Sequence, residues 1–323
     1  MKAIHQLTYG SADVLELADL PEPTPGPGQV LVRVRAAGVD RGVWHLMSGR
    51  PYLIRILGFG FRAPKQAIPG MDVAGVVEAV GAEVTRFQPG DEVYGIGAGT
   101  FAELALADES KLAPKPPSMS FEEAAVLPIS AGTALQGLRD VGKLEAGQRV
   151  LILGAGGGVG CYAVQLAKAF GAYVTGVCST GKLEFVTELG ADEVIDYTRE
   201  DCCDGSQAYD LILDIGGNRP LSKLRRALTP KGTLVIVGGE RGGPVLGGIH
   251  RQLGGLILSP FIGHNLRSFV ADENAKHLIA LTELVEAGEL RAPIDRRYSL
   301  AEAPEAVRRL DRHEVQGKGV VVI

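Results

Sequence analysis

Val150-Leu151-Ile152-Leu153-Gly154-Ala155-Gly156-Gly157-Gly158-Val159-Gly160 is the stretch on which the fold turns. Its first four residues are apolar without alternation, as in a strand buried on both faces. The residues beyond it, Tyr162–Phe170, read as a helix. Glycines between a strand and a helix let the chain bend sharply and let backbone approach a pyrophosphate. The helix start then offers free N–H groups and the positive end of its dipole. A tight packing turn with no ligand is the competing reading. The spacing Gly154-x-x-Gly157-x-x-Gly160 is one residue longer than the common dinucleotide-binding turn.

Outward from this turn, the pattern repeats. Val174-Thr175-Gly176-Val177, Leu211-Ile212-Leu213 and Leu234-Val235-Ile236-Val237 are further short apolar runs. Helical stretches near 183–189 and 221–228 separate them. Strands spaced by helices predict a doubly wound parallel sheet, an α/β unit placed at 121–265. Ser120, with Glu123 three residues on, predicts a capping box at its first helix.

Residues 1–120 read differently. Val30–Arg35, Met71–Val80 and Asp91–Tyr94 are strand-like and are divided by Pro-Gly turns, as in a small β-barrel. The tail, 266–323, holds helices near 275–287 and 304–310 and a closing strand at 319–323. It is expected to rejoin the head, giving one domain from 1–120 and 266–323 and another from 121–265.

Composition narrows the function. Of 323 residues, 44 are glycine, and the formal net charge is −5. A mildly acidic chain carries no electrostatic footprint for nucleic acid. The four cysteines, two of them adjacent, have no zinc-ribbon or disulfide spacing, which fits a reducing cytoplasm. The N-terminus lacks a signal-peptide core. The most apolar stretch, 253–263, is too short and too broken to span a bilayer, so no membrane partner is expected.

The second strand ends Val177-Cys178-Ser179-Thr180-Gly181-Lys182, with two hydroxyls and a cation and no acid. A carboxylate about 20 residues after the turn would suit a free ribose 2′-hydroxyl. Donors and positive charge suit a 2′-phosphate, which favours NADPH. Tyr197, after the third strand, could pack on the adenosine or donate to the phosphate, or be a plain surface tyrosine. Gly216 and Gly238 follow later strands, where ligands of open α/β sheets sit.

Together, these residues resemble the zinc-independent medium-chain dehydrogenases/reductases, the quinone oxidoreductase or zeta-crystallin-like group. Gly147-Gln148-x-x-Leu151-x-x-x-Ala155-Gly156-Gly157-Gly158-x-Gly160 follows that group's signature. Pro69–Gly75, Pro89–Val93 and Leu127–Leu135 add to the likeness, which covers essentially the whole chain. The resemblance implies a GroES-like β-barrel catalytic domain, a Rossmann domain, a cleft between them and a homodimer. It also places Thr133 and Phe261 at the cofactor. Where zinc-dependent relatives carry Cys and a His-Glu pair, this chain has Asp40 and Met71-Asp72. No zinc or other metal is therefore expected.

The resemblance further points to the segment after Gly38-Val39, where the family usually has Asn and then Tyr. Here Asp40 and His45 stand at those positions, and Tyr52 lies near a second family tyrosine. These three are the candidate catalytic residues. Two of them also have a plain reading, Asp40 binding backbone in its turn and His45 a structurally bonded histidine, while Tyr52 is read as a donor in the cleft. The expected function is zinc-independent, NADPH-dependent hydride transfer to a quinone or α,β-unsaturated carbonyl. A specialised biosynthetic enone or enoyl reductase and a non-catalytic NADPH-binding protein are the alternatives.

Overall fold

A computed structural model describes residues 1–217, 219–239, 243 and 245–323. It divides into two compact units, Met1–Gly132 with Glu273–Ile323, and Thr133–Asp272.

In the first unit the long strand Gln29–Val39 organises a mostly antiparallel sheet. Its valines at 30, 32 and 34 are buried, while Arg33 and Arg35 point outward. It pairs with Asp72–Val80 and Leu104–Asp108. Glu92–Ile96 and Leu112–Pro114 extend the sheet beyond Asp72–Val80. On the other side the tail strand Lys318–Val322 pairs antiparallel with Gln29–Val39, and Ile294–Ser299 pairs parallel with the tail strand. The tail helix Ala275–Glu286 is fixed to the barrel by Tyr94, whose buried hydroxyl donates to the Leu278 carbonyl at 2.6 Å.

Among the described residues, the second unit holds six strands in parallel register. In order across the sheet they are Glu193–Asp196, Tyr173–Cys178, Arg149–Leu153, Tyr209–Asp214, Leu228–Ile236 and Asn265–Ser268. Numbered by sequence this is 3-2-1-4-5-6, the order of a Rossmann sheet. The strand order reverses beside Arg149–Leu153, the strand that feeds the glycine turn.

Both domain boundaries fall later than the sequence suggested. The chain passes between units at 132/133 rather than 120/121, and at 272/273 rather than 265/266. The capping box on Ser120 forms, with Ser120 N donating to Glu123 Oε2 at 2.9 Å. Its helix, however, belongs to the barrel unit. Ile129 N donates to Asp72 Oδ1 at 2.8 Å, which ties the following turn there too. At the second boundary Glu273 pairs with Lys111 at 2.8 Å. A helical signal marks where an element starts; which core it packs on depends on partners far away in sequence.

Candidate active site

In the second unit the backbone does most of the shaping. Gly154 adopts φ +90°, and the N–H groups of Gly154 and Ala155 both donate to the Val177 carbonyl at 3.0 Å. Gly157 N donates to Gly154 O at 3.1 Å, closing the turn. The helix Gly158–Ala169 then starts with Gly157 as its cap and no side chain on its first N–H groups. Gly160 packs so tightly that an added Cβ would overlap the Gly154 carbonyl oxygen. Gly156 and Ala155 are buried; Gly157, Gly158 and Val159 are half-buried at the mouth. An uncapped helix start behind a side-chain-free cradle fits a diphosphate. The residues present therefore suit a nicotinamide dinucleotide.

The structure places Lys182 against this turn. Its stem lies over Gly156, where an added Cβ would come within 2.8 Å of Lys182 Cδ, and its Nζ is 3.5 Å from Gly156 O. Ser179 directly precedes the single turn Thr180–Lys182, with no side-chain hydrogen bond to it. Thr180 behaves otherwise than its sequence position suggested. Its hydroxyl donates to Asp196 Oδ2 at 2.5 Å, so its one proton is not available to a phosphate. Asp196 ends the neighbouring strand and pairs in register with Cys178. The sequence alone places no acid at the end of the second strand, and parallel pairing brings one from the third. Asp196 is buried and holds its proton less tightly than usual, because Thr180 and Thr198 hydrogen-bond the ionised form.

Tyr197 follows directly and is 54% exposed. Gly216 N donates to Leu153 O at 3.3 Å, beside the strand-order reversal. Gly238 N donates to the Asp214 carbonyl at 3.3 Å. The Asp214 carboxylate meets Arg251 in a buried pair at 2.5 Å. Thr133, the first residue of this unit, is half-buried. Phe261 is highly exposed, in the turn Ser259–Phe261.

The three candidate catalytic residues lie in the first unit. Asp40 is not a surface group. It is buried and caps the helix Arg41–Ser48, accepting from Val43 N at 3.1 Å through Oδ1. Its Oδ2 is buried without a hydrogen-bond partner. Burial raises its pKa. Its role in the structure is the backbone one. On the same helix His45 is half-buried, with Nδ1 2.7 Å from the Arg50 carbonyl. A carbonyl only accepts, so Nδ1 carries a proton and its hydrogen bond orients the ring. Tyr52 is 40% exposed, with the Arg55 guanidinium 4.7 Å from its ring centre.

At the positions of the family's zinc ligands the structure holds a different cluster. Lys318, from the last strand, reaches Asp72 Oδ2 at 3.3 Å and Ser130 Oγ at 2.9 Å. Lysine and aspartate are both fully buried. No local pattern signals that a lysine 246 residues away completes this group. An ammonium already balances the carboxylate, and Asp40 and Met71-Asp72 stand in place of the Cys and the His-Glu pair, so the residues do not fit zinc. Near the cluster, a cavity of about 320 Å³ opens in the first unit. Val43, Leu46, Met47, Phe59, Ile68 and Met71 are among its lining residues.

Comparison with known proteins fits both units. Residues 26–117 match the alcohol dehydrogenase GroES-like domain family, and residues 189–321 match the zinc-binding dehydrogenase family. A chloroplastic quinone oxidoreductase of Triphysaria versicolor is 34% identical, over 99% of this chain and 98% of its own. The chain belongs to the medium-chain dehydrogenase/reductase superfamily, in its zinc-independent quinone oxidoreductase group. A quinone oxidoreductase of Pseudomonas aeruginosa is likewise 34% identical over 99% of each chain. A 2-methylene-furan-3-one reductase of Solanum lycopersicum is 33% identical over 99% of this chain and 79% of its own. Among solved structures, the quinone oxidoreductase of Coxiella burnetii superposes with a TM-score of 0.86 at 29% identity, covering 100% of this chain and 99% of that one. The protein is thus an oxidoreductase of this superfamily, and its fold implies a nicotinamide cofactor. Among the described residues no helix is long and apolar enough to cross a membrane.

Proposed function

We propose that this oxidoreductase uses NADPH to reduce quinones or α,β-unsaturated carbonyls, working as a homodimer in the cytoplasm. The carrying observation is the buried Lys318–Asp72 pair, which stands where relatives assemble a Lewis acid. Residues that do not fit zinc at those positions supply no Lewis acid there for a simple alcohol or ketone, which favours an acceptor activated by its own conjugation. Relatives named quinone oxidoreductase and 2-methylene-furan-3-one reductase support both acceptor types.

When bound, the reduced nicotinamide supplies a hydride. The chain's own residues bind, orient and handle the proton. The turn Gly154–Gly160 and the start of the following helix hold the diphosphate. Lys182, with Ser179, meets the 2′-phosphate, while Thr180 orients the turn through Asp196. Tyr197, Gly216, Gly238, Thr133 and Phe261 complete the cofactor's surroundings. Tyr52 donates a hydrogen bond to the acceptor oxygen as negative charge develops there. His45 exchanges a proton at Nε2, its ring held by the Nδ1 contact to Arg50. Asp40 contributes by capping the helix that carries His45.

The dimer reading rests on Asn265–Ser268, the edge strand of the parallel sheet. Leu253, Leu256 and Ile257, on the preceding helix, are all exposed. The cytoplasmic reading rests on four buried cysteines kept as thiols. Absorbance at the nicotinamide band, followed with quinones, alkenals and cyclic enones, tests the activity. Turnover with conjugated acceptors and NADPH is the expected result. Tight NADPH binding with every acceptor inert would instead leave a binding protein.

A further inference from the structure

Residues 50–65, Arg50-Pro51-Tyr52-Leu53-Ile54-Arg55-Ile56-Leu57-Gly58-Phe59-Gly60-Phe61-Arg62-Ala63-Pro64-Lys65, present large apolar side chains outward. Ile56 is 71% exposed, Leu57 65% and Phe61 72%. Leu7 is 70% exposed, and Gln6 beside it donates its N–H to the Ala67 carbonyl, so the N-terminal strand adds to the same region. Isolated exposed leucines are ordinary; four large apolar side chains in one local region mark an interaction surface.

The segment is held outward by built contacts. Tyr9 donates to the Phe59 and Gly60 carbonyls at 3.0 and 2.7 Å. Arg55 binds the Gly49 and Ser48 carbonyls at 2.9 and 3.3 Å and stacks over Tyr9. Phe59, with Gly58, Pro64 and Lys65, also walls the cavity described above, so one face of this segment meets solvent and the other meets the cavity.

Charge selects the occupant. Between Asp40 and Asp72 there are Arg41, Arg50, Arg55, Arg62 and Lys65 and no acid at all, in a chain of net charge −5. Arg50, Arg62 and Lys65 are exposed. Arg41 is partnered by Asp311 and belongs to the fold rather than the patch. Exposed Ile, Leu and Phe interleaved with cations match an anionic lipid surface, where apolar side chains enter the acyl boundary and cations meet the headgroups. We propose that residues 50–65, with Leu7, dock this protein peripherally on an anionic lipid bilayer. The docking opens the cavity side of the segment to lipid-soluble acceptors. The absence of a membrane partner expected from the sequence followed from a missing spanning stretch and an acidic total; a local basic and apolar patch escapes both measures. The link to acceptors rests on the proposed reductase activity, whereas the docking itself does not.

The test is co-sedimentation of the full chain with vesicles of phosphatidylcholine alone or with about 30% phosphatidylserine, at roughly 0.1 M salt. Wild type should pellet with the anionic vesicles, stay in solution with the neutral ones, and be released at high salt. The variant Ile56→Ser/Leu57→Ser/Phe61→Ser and the variant Arg62→Glu should each bind roughly tenfold or more weakly. Both should keep the wild-type melting temperature and turnover of a water-soluble quinone. No pelleting of wild type on anionic vesicles overturns the docking, as does equal pelleting of wild type and both variants. A change in oligomer size on gel filtration, in variants whose parent does not pellet, overturns it in favour of a second copy on this face. Vesicle binding is read without turnover, so an inactive but bilayer-bound protein would reject the reductase reading alone.

Discussion

Lys318 Nζ and Asp72 Oδ2 lie 3.3 Å apart with both side chains fully buried, joining the last strand of the chain to the strand Asp72–Val80. Breaking such a pair from one side leaves a charge buried without compensation. Lys318→Met is expected to lower the unfolding free energy by about 3–5 kcal/mol, read by urea denaturation. Lys318→Met/Asp72→Asn should recover much of that loss. If the double variant were no better than the single, the lysine would matter for packing alone.

The same pair sets a pH dependence. Burial raises the Asp72 pKa from 3.8 to about 7, against the opposing pull of Lys318. A carboxyl whose pKa is higher folded than unfolded binds more protons in the folded state between those two values. Stability from this group therefore falls as pH rises from about 4 to 7 and levels off above. Melting temperature measured across that range should show the decline, and Asp72→Asn should flatten it. An unchanged slope in Asp72→Asn would assign the decline to other groups.

The second unit was largely legible because local signals coincide there. Apolar runs, glycines at strand ends and the spacing of helices all state the same sheet, and the turn Gly154–Gly160 forms between the strand and helix its sequence implies. What escaped the sequence was made by pairing across long separations. Asp196 reaches Thr180 because two strands lie in parallel register, and Lys318 reaches Asp72 because the tail strand returns to the barrel. No periodicity encodes either meeting. Asp40 shows the reverse case. A polar residue directly before a helix is a capping signal, and that bland reading describes its contacts.

Gly160 is the sharpest test of the cofactor cradle. An added methyl would run into the Gly154 carbonyl and the Ala155 backbone, none of which is the mobile end of a side chain. Gly160→Ala should cost about 1–3 kcal/mol of stability through overpacking and should weaken NADPH binding measured by calorimetry. Gly254→Ala, in the same unit but on the helix Ile249–Leu258, where an added Cβ would meet only Leu221 at an ordinary 3.8 Å, is the control and should bind as wild type does. Equal binding by both variants would remove the turn from the cofactor site.

Lys182 lies over Gly156 with its amine near the turn, which suits it to a 2′-phosphate. A hydrogen bond to a charged group is worth about 1.5–3 kcal/mol, so Lys182→Ala should raise the KM for NADPH roughly tenfold or more. The KM for NADH, which lacks that phosphate, should change little. Steady-state kinetics with both cofactors decides, and equal effects on the two would reject the assignment.

Asp196 carries the finest prediction, because its carboxylate takes the hydroxyl protons of both Thr180 and Thr198. At the proposed cofactor site Thr180 can then offer only an acceptor, which suits a free 2′-hydroxyl better than a phosphate. In Asp196→Asn the new amide can donate to Thr180 and release its proton, and a negative charge beside the ribose pocket disappears. Both changes act in one direction. The ratio of kcat/KM for NADPH to that for NADH should rise severalfold, with Thr180→Val abolishing the part due to the hydroxyl. A ratio that falls in Asp196→Asn would show that the carboxylate holds the loop in shape rather than tuning its donors, and a loss of melting temperature in the same variant would confirm that role.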